Sequence, residues 1–193
     1  ELGYKNIEFA VNISNRHASK KDFTKKLCDI LNENSIDDGD IILELNDSIS
    51  FKEIENYKVF CETLKECGAR VAIKNYEIKY DSLKLLKELK IDGIKLSSEY
   101  ITDEDDIDDD VFIDILSLSK KLEYKVIIDK IENEKQLNYA IKSSADYIQG
   151  DFLFKRMDES LTEEFVKEYP KYINKIDGLI ENANYISSLK EKK

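Results

Sequence analysis

Six strand-like stretches each end on a side chain that can bind an ion or hold a proton: Asn12, Glu44, Lys74 with Asn75, Lys95, Asp129 and Gln149. Asn12, Glu44 and Lys95 each interrupt an apolar run near its end, where a purely structural strand would continue with valine or isoleucine. Three chemistries are open to such a set. Lys74 and Lys95, with Lys79 or Lys130 added, would make a metal-free anion pocket able to hold phosphates. Lys74 paired with Glu44 on the neighbouring strand would instead give a charge-balanced rim without chemistry. A solvated polar rim is the third arrangement.

Any of these requires the strands to lie side by side. Asn6 to Ile13 alternates through Ile7, Phe9, Val11 and Ile13, the period of a strand. Asp22 to Asn32 turns helical, with Phe23, Leu27, Ile30 and Leu31 at three- and four-residue spacing. Ile41 to Leu45 is the second strand, and Ser50 with Glu53 forms a capping box for a helix through Tyr57, Phe60 and Leu64. After Gly68 comes the strand Val71 to Tyr76, then a helix capped by Asp81. Further strands follow at Gly93 to Leu96, Lys125 to Asp129 and Tyr147 to Gly150, separated by helices at Val111 to Leu122 and around Leu137 to Ile141. Strand and helix alternate with short connections and the strands are apolar runs, which predicts a parallel α/β sheet buried on both faces. Such architectures bind ligands at the C-terminal ends of their strands, where the six polar positions fall.

The chain has 193 residues and a net charge of −11. That balance argues against a nucleic-acid polymer or an anionic membrane as partner, since both call for a basic surface. No stretch approaches the roughly 18 to 20 apolar residues of a membrane span. Cys28, Cys61 and Cys67 lack metal-site spacing and are expected to be reduced packing residues, which favours a cytoplasmic location. His17 reads as a surface or rim residue. The acidic run Asp103 to Asp110 reads as a solvated helix start, because it lacks the glycine and terminal glutamate of a calcium loop.

Taken in order, Val11-Asn12-Ile13-Ser14, Glu44-Leu45-Asn46-Asp47-Ser48, Lys74-Asn75-Tyr76, Ile94-Lys95-Leu96, Asp129-Lys130-Ile131-Glu132 and Asp146-Tyr147-Ile148-Gln149-Gly150 resemble the EAL family of cyclic di-GMP phosphodiesterases, over residues 6 to 158. The resemblance implies a TIM-barrel-like (β/α) repeat. Here it would be an incomplete barrel of about six parallel strands, with the family's first strands and their glutamate expected upstream of Glu1. It also implies a site using Mg²⁺ or Mn²⁺, with Asn12 and Glu44 at metal-ligand positions, Lys95 near the attacking water, and Asp129 and Gln149 at further site positions.

The departures from the family pattern decide the functional expectation. Lys74-Asn75 stands where the family has two aspartates, replacing two carboxylates by a cation and a neutral amide. Asp129 replaces a glutamate, Lys130 a glycine, and Glu77-Ile78-Lys79 a Gly-Thr-Gly loop. The metal positions Asn12 and Glu44 are therefore expected to be vestigial and without an ion, and Lys95, Asp129 and Gln149 to be vestigial catalytic positions. Lys74, Asn75, Lys95 and Gln149 are the candidate ligand-binding set. The expected function is a catalytically inactive signalling domain acting through an unknown protein partner, beside an upstream module. The alternatives are a metal-independent cyclic di-GMP receptor, or a weak Mg²⁺- or Mn²⁺-dependent phosphodiesterase completed by an upstream segment. Residues 1 to 169 form the barrel portion and 170 to 193 a helical extension packed on it. Relatives commonly form dimers through barrel helices, so a homodimer is a further expectation.

Overall fold

The computed structural model describes residues 7–34, 36–49, 53–76, 86–101, 108–143 and 145–168. Six strands, β1 (Phe9–Asn12), β2 (Ile41–Asn46), β3 (Arg70–Lys74), β4 (Gly93–Ser97), β5 (Lys125–Asp129) and β6 (Tyr147–Ile148), lie in chain order, each parallel to the next. Between them run α1 (Asn15–Ala18), α2 (Lys21–Glu33), α3 (Ile54–Glu66), α4 (Asp108–Lys121) and α5 (Glu134–Lys142). The sheet curls enough for a side chain to span its two ends: the Tyr147 hydroxyl, on β6, donates to Glu8 beside β1 at 3.4 Å, and Glu8 pairs with Arg70 of β3 at 2.7 Å. The result is a half-barrel.

Successive side chains on a strand point to opposite faces. One parity, Leu43, Leu45, Val71, Ile73, Ile94, Leu96, Val126 and Ile128, is sealed in the core with Tyr57, Phe60 and Leu64 of α3, Phe112 of α4 and Leu137 of α5. Each such residue contributes roughly 1.5–3 kcal/mol of burial. The other parity carries Asn12, Glu44, Lys74, Lys95, Asp129 and Gln149. The expectation of a sheet buried in apolar surroundings on both faces therefore holds for the convex face only. Ile42, Ala72 and Ile127 fall on the concave side and make the strands read as continuous apolar runs, although polar groups dominate that side near the strand ends.

Two aspartates splice neighbouring strands by the same device. The Asp92 carboxylate accepts the Val71 N–H at 2.8 Å while its own N–H donates to Val71 O at 2.8 Å. Asp146 does the same with Val126, at 2.9 Å in both directions. Both sit just before a strand and set its register against a neighbour. Gly150 has no room for a side chain: a Cβ there would lie 2.2 Å from the Ile131 carbonyl oxygen and 2.3 Å from its nitrogen.

β1 and β6 have no outer neighbour among the described residues, and β1 leaves Phe9 and Val11 exposed. At four and two residues, they are short edges rather than long bare ones. The space between them is narrowed by the Tyr147–Glu8 contact and by Phe165 and Val166 of the helical run 159–168.

Several expectations change. The short helix α1 has no counterpart in the sequence reading. Helix α3 is preceded by Glu53, whose side chain makes no cap bond to the helix; the expected capping box with Ser50 falls partly outside the described residues. Cys28 and Cys67 are joined in a disulfide between α2 and the end of α3, correcting the expectation of three reduced cysteines; Cys61 alone is a free, buried thiol. The sequence shows no pairing signal because the two residues are 39 apart and meet only when α2 packs on α3. The helix start at Asp81, most of the acidic run and the segment from Tyr172 lie outside the described residues. No described helix is long and apolar enough to cross a membrane.

Candidate functional site

The polar side chains gather at the C-terminal ends of the strands, and two lysines organise them. Lys74 Nζ on β3 donates to Asn12 Oδ1 on β1 at 2.6 Å, and Lys95 Nζ on β4 donates to Glu44 Oε1 on β2 at 2.8 Å. Each lysine thus reaches across one intervening strand. Room for Lys95 comes from β3, which sets Ala72 beside Glu44 on one side and Gly93 on the other. Lys95 Nζ also stands 3.6 Å from Asp129 Oδ2. The Lys95 and Glu44 side chains are only 7% and 5% exposed, so each charge depends on the other for solvation lost on burial.

The expected pairing of Lys74 with Glu44 does not form. Lys95 already holds that carboxylate, and the stagger between strands directs Lys74 to the neutral amide of Asn12. Asn75 adopts a left-handed backbone, with φ at 55°, and its side chain is exposed. Gln149 lines the same cavity as Glu44, together with Ala10, Ile42, Ile127 and Phe165; its volume is about 480 Å³. Lys130 faces away from this group and pairs with Glu99 at 2.9 Å, while its backbone sits at φ 61°. It does not join Lys74 and Lys95 in one pocket, and Lys79 lies outside the described residues. His17 is exposed, bonded to Ser14 and stacked on Phe23 at a centroid distance of 5.2 Å, a surface residue as expected.

Residues with no obvious sequence signal hold the rim in place. Asn15 of α1 exchanges two hydrogen bonds with the backbone of Asn46, both at 3.2 Å, and its carbonyl accepts the Tyr57 hydroxyl at 3.0 Å. The next N–H, of Asp47, donates to the Lys74 carbonyl at 3.2 Å. On the far side, Ser98 Oγ donates to Lys130 O at 2.6 Å and Asp129 accepts the Lys130 N–H at 2.7 Å, fixing the end of β5 to β4. Among the described residues, no three of His, Cys, Asp and Glu converge on a point that would hold a metal ion.

This order of motifs on a curled parallel sheet is matched by the EAL domain, over residues 2–156. The chain belongs to the EAL domain family. The family comprises cyclic di-GMP signalling proteins, and matching relatives include several named as cyclic di-GMP phosphodiesterases. The signaling protein YkoW of Bacillus subtilis is 26% identical over 175 residues, covering 88% of this chain and 21% of YkoW. Among solved structures, the EAL domain of Mycobacterium smegmatis DcpA superposes with a TM-score of 0.78 at 21% identity, covering 84% of this chain and 74% of that one. The FimX EAL domain from Pseudomonas aeruginosa, bound to c-di-GMP, superposes with a TM-score of 0.70 at 15% identity, covering 77% of this chain and 62% of that one. The chain spans about a fifth of the length of the curated relatives it matches.

Proposed function

We propose that this EAL domain does not hydrolyse cyclic di-GMP and signals through protein contacts. The observation that carries the reading is the Lys74 ammonium: it stands where the resemblance puts an aspartate and donates at 2.6 Å to Asn12 Oδ1, an oxygen at a metal-ligand position of that pattern. Lys95, which donates to Glu44 Oε1 at 2.8 Å, is a position the pattern keeps. Hard divalent cations require several oxygen donors, mostly anionic, and an ammonium among the donors both occupies a lone pair and repels the ion. The residues present therefore do not fit Mg²⁺ or Mn²⁺. Lys95, Glu44 and Asp129 form an ion-paired scaffold at the rim, with Gln149 lining the cavity beside Glu44, and this preserves the barrel rim for a partner. A cytoplasmic location and self-association into a homodimer belong to this reading; residues 170–193, expected from the sequence to form a helical extension, lie outside the described residues.

The test uses the longest natural chain that carries this domain. Incubated with cyclic di-GMP and Mn²⁺, it yields no linear pGpG by chromatography, whereas sustained turnover overturns the proposal. Manganese titration followed by electron paramagnetic resonance gives the complementary readout: the native protein leaves the ion free, and Lys74→Asp/Asn75→Asp recovers binding.

One observation favours a second reading, a metal-independent cyclic di-GMP receptor using Lys74, Asn75, Lys95 and Gln149. Among the described residues no carboxylate pairs with Lys74, which donates to the neutral amide of Asn12, so its charge is available to a phosphate. Calorimetric titration with cyclic di-GMP, with and without Mg²⁺, separates the two: magnesium-independent heat that Lys74→Met abolishes supports the receptor, and no heat at high micromolar ligand removes it.

A further inference from the structure

The disulfide between α2 and α3 lies outside the rim, and neither reading above uses it. Cys28 projects from the middle of α2, 7% exposed, and Cys67 ends α3. The bond forms part of the wall of a separate cavity of about 330 Å³, lined also by Thr24, Val59, Phe60 and Thr63. Cys28 belongs to the core cluster and Cys67 is partly buried against it, so the cavity is the route by which a small thiol would reach the bond. The third cysteine takes no part: Cys61 is fully buried one side of α3 away, and burial pushes its thiol up to about 12, so it is neither a nucleophile nor an alternative partner at neutral pH.

What the bond holds together leads back to the rim. α1 rests on the α2–α3 pair through buried Ala18 and through the Tyr57 hydroxyl of α3, which donates to Asn15 O. Asn15 in turn holds both backbone groups of Asn46, the register partner of Lys74. Separation of α2 from α3 is thus transmitted by one short helix to the end of β2.

We infer that Cys28–Cys67 is a reversible dithiol–disulfide switch that sets how firmly α1 clamps the C-terminal end of β2. Oxidation uses the disulfide of a small thiol such as glutathione. The more exposed Cys67 thiolate attacks it and releases one thiol, and the Cys28 thiolate then displaces the second. Two S–H bonds are lost, one S–S bond forms, and the external disulfide is reduced to two thiols. A dithiol reverses both steps. This inference does not depend on whether the rim binds a dinucleotide.

The test is carried out on the full chain, equilibrated with oxidised glutathione or with dithiothreitol. Alkylation in denaturant followed by mass spectrometry is expected to count one thiol, Cys61, in the oxidised protein and three in the reduced one. Deuterium exchange at the Asn46 amide is expected to rise at least about tenfold on reduction, with a fall in Tm of roughly 10 °C from opening a 39-residue loop. Cys61→Ser is expected to keep the switch and Cys28→Ser to abolish it. Should Cys28→Ser not fold, the native protein in its two redox states and Cys61→Ser carry the test. Three alkylated cysteines after oxidation, or Cys61 in the bond, overturn the inference. So does equal Asn46 exchange in both states, which leaves the bond a structural staple.

Discussion

Ile73 and Lys74 are adjacent in β3, yet they live by different rules. Ile73 is fully buried between the sheet and its helices, whereas Lys74 leans over β2 to reach Asn12 on the open concave side. On the convex face, stability comes from area and packing and is spread over many residues of similar kind. On the concave face it rests on pairwise charge matching, concentrated at Lys95 and Glu44. The same strands therefore carry a tolerant surface and an intolerant one. In this protein the intolerant one carries the polar strand ends Asn12, Glu44, Lys74 and Lys95.

The comparison is sharpest where a buried charge loses its partner. Lys95→Met leaves the Glu44 carboxylate 4% exposed and without its ammonium, and is expected to cost about 3–5 kcal/mol in urea unfolding. Adding Glu44→Leu recovers most of that loss. A single-mutant cost near zero would show that water reaches the pair and that the two faces do not differ as described.

The strand splices come next. Asp146→Ala removes the acceptor of the Val126 N–H and of Lys125, and is expected to cost about 2 kcal/mol. Burial works against the Asp146 carboxylate, but the Lys125 ammonium and the Val126 N–H outweigh it and hold its pKa below the ordinary 3.8. The folded state thus binds fewer protons than the unfolded chain in the acid range, and stability rises with pH there. The contribution is complete above the ordinary value and is lost as pH falls through the depressed one. Asp146→Ala should accordingly flatten the acid limb of a stability–pH curve, and an unchanged limb would contradict the pairing.

Ile73→Val, a loss of one methylene from the convex face, is expected to cost about 1 kcal/mol by the same unfolding measurement. The smallest effect has the opposite sign. Lys130 pairs on the surface with Glu99 but keeps a left-handed backbone at φ 61°, so Lys130→Gly is expected to raise stability by about 0.5 kcal/mol. A loss there would mean that the Glu99 pair outweighs the backbone cost.

All six strands were legible because each is a short apolar run between helical periods, and alternation of the two leaves few topologies. The polar strand ends were legible too, since a charged residue at the close of an apolar run is out of keeping with burial. Helix α1 was not: four residues are too few for a periodic signal, and its hold on Asn46 depends on contacts 31 residues apart. Arg70 carries no mark that it pairs with Glu8, because that contact depends on segments far apart in the chain meeting when the sheet curves. The partners of the lysines were misjudged for a similar reason. Sequence order sets Lys74 beside Glu44, but strand stagger advances the pairing by one strand.

Residue types alone determined the strand–helix alternation, the order of motifs that carries the family resemblance, and the polar residues that close the strands, because each of these is a local fact of composition and spacing. Only the tertiary structure decided that Lys95 rather than Lys74 neutralises Glu44, that Lys130 turns away to Glu99, and that Cys28 bonds to Cys67. Each depends on side chains from distant segments meeting across a curved sheet or between packed helices, and the length and stagger of the elements between them set who meets whom.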